Sequence, residues 1–319
     1  MTTVLNENRR DLLNGLSELG AGVLFQQTLP RHLVHRAAVS EVFLTNLAAT
    51  RDGTFQVGAQ WPRSHQFFGP KSRLHDPMLL TETIRQATLA IAHEFYEVPQ
   101  GTHFVMHEIS YEITEEGLRL GCRPADVVLT AVAHSIRKRG KTVAGMTVDF
   151  TCYRNDVKVG SGGVSFRCIT AATYARVRGD HIDATVVTEK QPAPVPPHLV
   201  GRYQDCDVVL APSAMDNLWL VRVDTDHPVM FDHPVDHVPG MMAIEAARQA
   251  ALLATGSAEG VPVKGKFSFE HYIELDEPCV VAADTAAHAP GDGRSSVRVK
   301  FEQSGRTAVV GDLELLART

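Results

Sequence analysis

The chain has 319 residues, 44% hydrophobic and 21% charged, with a net charge of −6. The length suits about two domains, the composition is that of an ordinary globule, and the acidic balance argues against a general nucleic-acid binder. No apolar run approaches the about 20 residues that a membrane-spanning helix needs. Five cysteines, an odd number with no CxxC pair, point to a reducing cytoplasm and no structural disulfides. Residues 1–11 carry Glu7, Arg9, Arg10 and Asp11 and lack the apolar stretch of a secretory signal.

Residues 1–33 read as an N-terminal segment. Short strands are expected over 41–47 and 54–61, followed by a loop rich in His and Pro. The spacing of Leu80, Ile84, Ala87 and Ile91 predicts a helix over 77–95 with a core-facing stripe. Glu82, Arg85, Gln86 and Leu89 fall on the neighbouring stripe. Only strands follow, over 103–113, 118–124, 143–153 and 156–169. The basic run Arg137-Lys138-Arg139-Gly140-Lys141 reads as a solvated loop, although an acidic partner would need such a patch to dock. Gly160-Ser161-Gly162-Gly163 lies inside a strand pattern, so it is not expected to cradle a phosphate. A stiff spacer over 188–199, with the run Pro192-Ala193-Pro194-Val195-Pro196-Pro197, separates the two halves. The second half, 200–319, holds a helix expected over 240–254, apolar on nearly every side and ended by Thr255-Gly256.

The two helices carry one pattern. Glu82, Arg85 and Gln86 match Glu245, Arg248 and Gln249, each pair 163 residues apart. Upstream, Val34-His35-Arg36 matches Val200-Gly201-Arg202, and His65 matches His227; downstream, Ser110-Tyr111-Glu112 matches Ser268-Phe269-Glu270. A period this long marks duplicated domains rather than a solenoid, with repeats at 34–187 and 200–319. A long buried helix wrapped by an antiparallel sheet, with strands before and after it, is the hotdog arrangement. The fold class is therefore α+β, a double hotdog. The repeats should pack sheet edge to sheet edge, because each alone would leave a long strand unpaired.

The run Asp232-His233-Pro234-Val235-Asp236-His237-Val238-Pro239-Gly240, the segment His75-Asp76-Pro77 and both Glu-x-x-Arg-Gln copies resemble the A-factor biosynthesis family, the AfsA-type γ-butyrolactone synthases of actinobacteria. The loop and helix also look like those of hotdog β-hydroxyacyl carrier-protein dehydratases, with a shorter spacing from His to Glu. The resemblance implies an acyltransferase that moves a β-ketoacyl chain from acyl carrier protein to a hydroxyl of dihydroxyacetone phosphate. No cofactor or metal is implied, and a homodimer is compatible. Two other functions fit such a pocket: a dehydratase or thioesterase acting on acyl thioesters, or an inactive acyl-ligand binder. A buried Arg beside each Glu speaks for a phosphate substrate and against both.

Such a transfer needs a base, donors for the developing oxyanion and an apolar tunnel. Glu82 and Glu245 are the helix carboxylates, and burial should raise their pKa, although Glu82 and Arg85 also fit a plain ion pair. Among His65, His75, His227, His233 and His237, His233 is favoured for catalysis by its place before the helix. His103 and His107 share a strand face without a third ligand, so zinc is not expected. Gly240 and Met241 offer free N–H groups at a helix start, whereas the residue matching Gly240 is Pro77, which has none. Glu245 and Arg248 are therefore expected to matter more than Glu82 and Arg85. For the phosphate, Arg248 comes first, then Arg85, Arg73 and Arg154, with Gln86 and Gln249 as further substrate contacts.

Overall fold

A computed structural model describes residues 22–183, 192–285 and 293–318. The reading of residues 1–21 and the spacer's start at 188–191 lie outside the described residues. Strands β1 (Leu44–Ala49) and β2 (Phe55–Trp61) precede helix α1 (Met78–Tyr96). It is followed by β3 (His103–Ile113), the single turn α2 (Glu115–Leu118), β4 (Ala125–Arg139), β5 (Thr142–Arg154), β6 (Val157–Ile169) and α3 (Ala171–Arg178). The second half has β7 (Leu210–Pro212), β8 (Leu218–Val221), α4 (Gly240–Thr255), β9 (Val261–Phe269), β10 (Cys279–Thr285), β11 (Arg294–Gln303) and β12 (Arg306–Leu316).

All these strands form one sheet in the order β1-β2-β4-β5-β6-β3-β9-β12-β11-β10-β8-β7. The second half of that order is the first reversed, so a pseudo-twofold axis runs through the β3–β9 ladder. There Glu108 faces Ser268 and Glu112 faces Lys264, antiparallel. The expected edge-to-edge packing holds, and the ladder satisfies the backbone groups that either edge would expose.

One expected strand is absent. Over 118–124 the chain instead leaves α2, whose N-terminus is capped by the Thr114 hydroxyl accepting from Gly117 N at 3.2 Å. The strand proper begins at Ala125, where Ala125, Val127, Leu129 and Ala131 are buried at every second position. The basic run ends this strand: Arg137–Arg139 belong to β4 and are exposed.

Helix α1 buries Leu80, Ile84, Ala87 and Ile91 completely, as their spacing predicts. It sits close to the sheet because of the glycines in β6. A Cβ on Gly162 would lie 2.6 Å from Ile84 Cδ1 and 2.3 Å from Ser110 O. These glycines serve a close helix–sheet contact. Helix α4 is buried along most of its length, and Gly256 in the left-handed region ends it. Among the described residues no helix is long and apolar enough to cross a membrane.

Candidate active site

Each long helix buries one glutamate in a cage of donors. Glu82 Oε1 accepts from Arg36 Nε at 3.0 Å, Arg85 Nη2 at 2.8 Å and Gln86 Nε2 at 2.7 Å, and Oε2 from Arg85 Nε at 2.8 Å. The second half repeats this: Glu245 Oε1 accepts from Arg202 Nε at 3.0 Å, Arg248 Nη2 at 2.9 Å and Gln249 Nε2 at 2.6 Å. Each glutamine also ties the helix to the chain before the first strand. Gln86 accepts from Phe43 N at 3.0 Å and donates to Glu41 O at 2.7 Å; Gln249 does the same with Val209 N at 3.0 Å and Asp207 O at 2.9 Å.

Arg36 and Arg202 also cross between halves. Arg36 Nη1 donates to Val229 O at 3.2 Å, and Arg202 Nη1 donates to Phe67 O. The loops they reach are each shaped by one histidine. His65 Nδ1 accepts from Phe67 N at 3.2 Å and Phe68 N at 3.0 Å; His227 Nδ1 accepts from Val229 N at 3.2 Å and Met230 N at 3.1 Å. His65 and His227 are thus turn residues with their acceptor nitrogen already used.

The expectation of a raised carboxylate pKa is corrected at Glu82. Burial pushes the Glu82 carboxyl up, but Arg36, Arg85 and Gln86 together outweigh it and hold the group at about 2. A carboxylate so held is an anchor for two guanidiniums, and it does not serve as a base at neutral pH.

The pseudo-twofold sets the start of one long helix opposite the glutamate cage of the other, and the two pairings differ. The α4 start and the Glu82 cage border a cavity of about 910 Å³ lined by Arg36, Arg85, His233, Gly240 and Met241. No side chain caps α4, so its first N–H groups are left for another acceptor. At the other pairing, Asp76 Oδ1 accepts from Met78 N at 2.9 Å and Oδ2 accepts from Arg248 Nη1 at 2.8 Å. One carboxylate thus caps α1 and engages the arginine. Burial works against the charge of Arg248, but Asp76 and Glu245 hold its pKa above the ordinary arginine value. Lys71 fills the remaining space, since a Cβ on Gly201 would lie 1.6 Å from Lys71 Nζ. In the first half the residue matching Gly201 is His35, which lines the cavity.

His93 Nδ1 lies 2.6 Å from Val98 O and must donate to it, so His93 Nε2 accepts from His35 Nε2 at 2.8 Å. That leaves a lone pair on His35 Nδ1. Burial and the nearby Arg85 lower His35 to about 3, so it stays neutral. The opposite wall holds a charged cluster built from both halves. Arg178 on α3 donates to Asp236 Oδ2 at 2.8 Å and to both Glu274 oxygens at 2.8 and 2.6 Å. Tyr174 donates to Asp236 Oδ1 and stacks on His103 at 3.7 Å. Leu89, Phe104, Phe166 and Met230 supply apolar lining. Among the described residues, His181, Glu274 and Asp276 are close enough to share a cation, but Arg178 already engages Glu274.

A profile of the A-factor biosynthesis hotdog domain matches residues 24–170 and 184–318. The chain belongs to that family. A 2-oxo-3-(phosphooxy)propyl 3-oxoalkanoate synthase of Streptomyces virginiae is 42% identical over 280 residues, 88% of this chain and 95% of that protein. A synthase of the same name from Streptomyces coelicolor is 36% identical over 295 residues, 92% of this chain and 93% of that protein. Among solved structures, one described as an oleoyl thioesterase from Lactobacillus plantarum has a TM-score of 0.50 at 12% identity, covering 83% of this chain and 97% of that one. That likeness shows the fold alone.

In this A-factor-family chain, Arg85, His233, Gly240 and Met241 line the cavity. Glu82 lies behind Arg36 and Arg85, fully buried. Gln86, Glu245, Arg248 and Gln249 are buried and do not line this cavity. Arg73 is exposed on a turn, and Arg154 Nη1 donates to Gly117 O at 3.0 Å and Arg119 O at 2.6 Å, which holds the α2 turn. Neither lines the cavity. The preference for Glu245 and Arg248 joined Gly240 to its own helix, whereas the twofold brings it to the other helix's cage. His35, Arg36, Tyr174, Arg178 and Asp236 were not singled out as site residues. Arg36 was within reach, because it matches Arg202 in the upstream repeat; helix α3 has only eight residues with a weak apolar pattern.

Proposed function

We propose that this chain transfers a β-ketoacyl group from an acyl carrier protein thioester to the hydroxyl of dihydroxyacetone phosphate. The product would be a 2-oxo-3-(phosphooxy)propyl 3-oxoalkanoate, the first step toward a γ-butyrolactone, butenolide or furan signal. The names of the Streptomyces relatives support the reading. The observation that carries it is one cavity with an uncapped helix start on one side and a guanidinium on the other. The N–H groups at Gly240 and Met241 suit the thioester oxygen as it becomes an oxyanion. Arg85, 22% exposed, presents its remaining donors to the phosphate, while Glu82 and Arg36 fix its orientation. The acyl chain runs along Leu89, Phe104, Phe166 and Met230. We take residues 34–187 and 200–319 as the two repeats, with 188–199 between them.

Mass spectrometry of the products from β-ketoacyl carrier protein with dihydroxyacetone phosphate tests this. The phosphorylated ester is the expected product, and free acid alone would show a thioesterase instead. If unphosphorylated dihydroxyacetone were acylated as efficiently, Arg85 would not be a phosphate ligand.

A further inference from the structure

We infer that His237, oriented by Asp236, is the general base that takes the proton from the acceptor hydroxyl, an assignment that rests on the transferase reading above. His237 stands three residues before Gly240 and lines the same cavity. Asp236 Oδ1 lies 2.8 Å from His237 Nδ1. The imidazole therefore donates through Nδ1, and Nε2 carries the lone pair. The carboxylate has little freedom to turn, because Arg178 Nε grips Oδ2 at 2.8 Å and the Tyr174 hydroxyl donates to Oδ1. Arg178 is itself fixed by both oxygens of Glu274. Burial works against the charge on Asp236, but the hydrogen bonds from His237, Tyr174 and Arg178 keep the carboxyl well below its usual range. The ring is steadied by the edge of Tyr272 at 4.7 Å, and the backbone by Val238 N donating to Ile273 O at 2.9 Å.

The other histidines and the buried glutamate fit the role less well. His233 Nδ1 is 3.5 Å from Asp232, whose oxygens already accept from Ala37 N and Ala38 N. Its side chain is 47% exposed, and no hydrogen bond sets its tautomer. His35, held near 3, is too weak a base, and Glu82 near 2 is weaker still. His103 is stacked on Tyr174.

In the step, the acceptor hydroxyl gives its proton to His237 Nε2 as its oxygen bonds to the thioester carbonyl carbon. The resulting oxyanion lies at the α4 start. Collapse breaks the C–S bond, and the departing thiolate takes the proton back from Nε2. Thioester and alcohol become ester and thiol, with no change of oxidation state. Tyr174 and Arg178, on a helix of the first half, are positioning residues for a dyad of the second.

Transfer kinetics of His237→Gln and Asp236→Asn, followed by ester mass and thioester loss, test the assignment. His237→Gln should lower kcat about 10²–10⁴-fold while KM for dihydroxyacetone phosphate stays within about twofold. Asp236→Asn removes the negative charge beside the ring, so the acid limb of its kcat–pH profile should move to lower pH. The charged and titratable groups facing His237 in that profile are Asp236, His103, Tyr174, Arg178, Tyr272 and Glu274, and only Asp236 is altered. If His237→Gln fails to fold, the Asp236→Asn profile decides. Ester formed at the wild-type rate by His237→Gln, or an unmoved profile in Asp236→Asn, overturns the dyad and leaves the transferase reading standing. Wild-type protein that yields free acid and no ester overturns both.

Discussion

The two glutamate cages draw on the same donors, two arginines and a glutamine each, yet their surroundings differ. Around Glu82, Arg85 keeps part of its guanidinium open to a cavity and faces the uncapped start of α4. Around Glu245, Arg248 is 3% exposed, paired with Asp76 as well as Glu245, and Lys71 fills the space beside Gly201. Duplication supplies two copies of one frame. A few substitutions at the pre-helix loops then decide which copy is a pocket and which is core. The repeated buried charges are thus not two equal sites: one cage orients an arginine toward solvent, the other serves the packing between halves.

The strongest way to break this comparison is to remove the arginine from each cage. Arg248→Ala leaves Asp76 and Glu245 buried without that cation and should cost about 3–5 kcal/mol of stability, read from denaturant midpoints. The folded fraction should keep a kcat near wild type. Arg85→Ala should also cost stability, because it takes one of two guanidiniums from buried Glu82, but its larger effect should be on activity. On the proposed phosphate contact it would lose two charge-assisted bonds, at about 1.5 kcal/mol each, so kcat/KM for dihydroxyacetone phosphate should fall about 10²-fold. Arg85→Lys should raise KM for the acceptor more than for the acyl donor, because the fork is lost and the charge kept. Equal activity losses at Arg85 and Arg248 would end the distinction.

Acid sharpens it further. Glu82 is held below its unfolded pKa, so its contribution to stability is complete above about 4.5 and is lost as pH falls toward about 2. His35 is lowered from 6.5 to about 3, so the unfolded chain takes up a proton that the folded one refuses, and stability falls as pH drops through that window. The urea midpoint of His35→Gln should therefore decline less than that of wild type between pH 6.5 and 4. Parallel curves would remove His35 from the acid response.

The smallest effect is expected at the junction of the halves. Lys264 pairs with Glu112 at 3.0 Å and Lys266 with Glu108 at 3.1 Å, all four well exposed. Double-mutant cycles at these pairs should give less than about 1 kcal/mol each. A larger coupling would mean that the ion pairs, rather than the β3–β9 backbone ladder, join the repeats.

Much was legible in the sequence because it was written in period and repetition. The stripe of Leu80, Ile84, Ala87 and Ile91 located α1, and Glu245, Arg248 and Gln249 marked its copy. Gly240 against Pro77 set the two helix starts apart, and in the structure no side chain caps α4. Where periodicity was weak, the reading slipped: 118–124 has the residues of a strand, but the Thr114 cap turns the chain first. Helix α3 is not legible in the sequence because its eight residues have a weak apolar pattern.

The sequence by itself determined two hotdog repeats, a helix glutamate in each, and an arginine and a glutamine beside it, since local spacing and duplication fix these without knowledge of distant contacts. Only the tertiary structure decided which partners meet. Antiparallel pairing of β3 with β9 creates the twofold that sets Gly240 opposite Arg85 and Asp76 against Arg248. It also decided the charge state of Glu82, because burial raises a carboxyl pKa until buried guanidiniums outweigh it, and whether they do depends on residues such as Arg36 that lie far away in sequence.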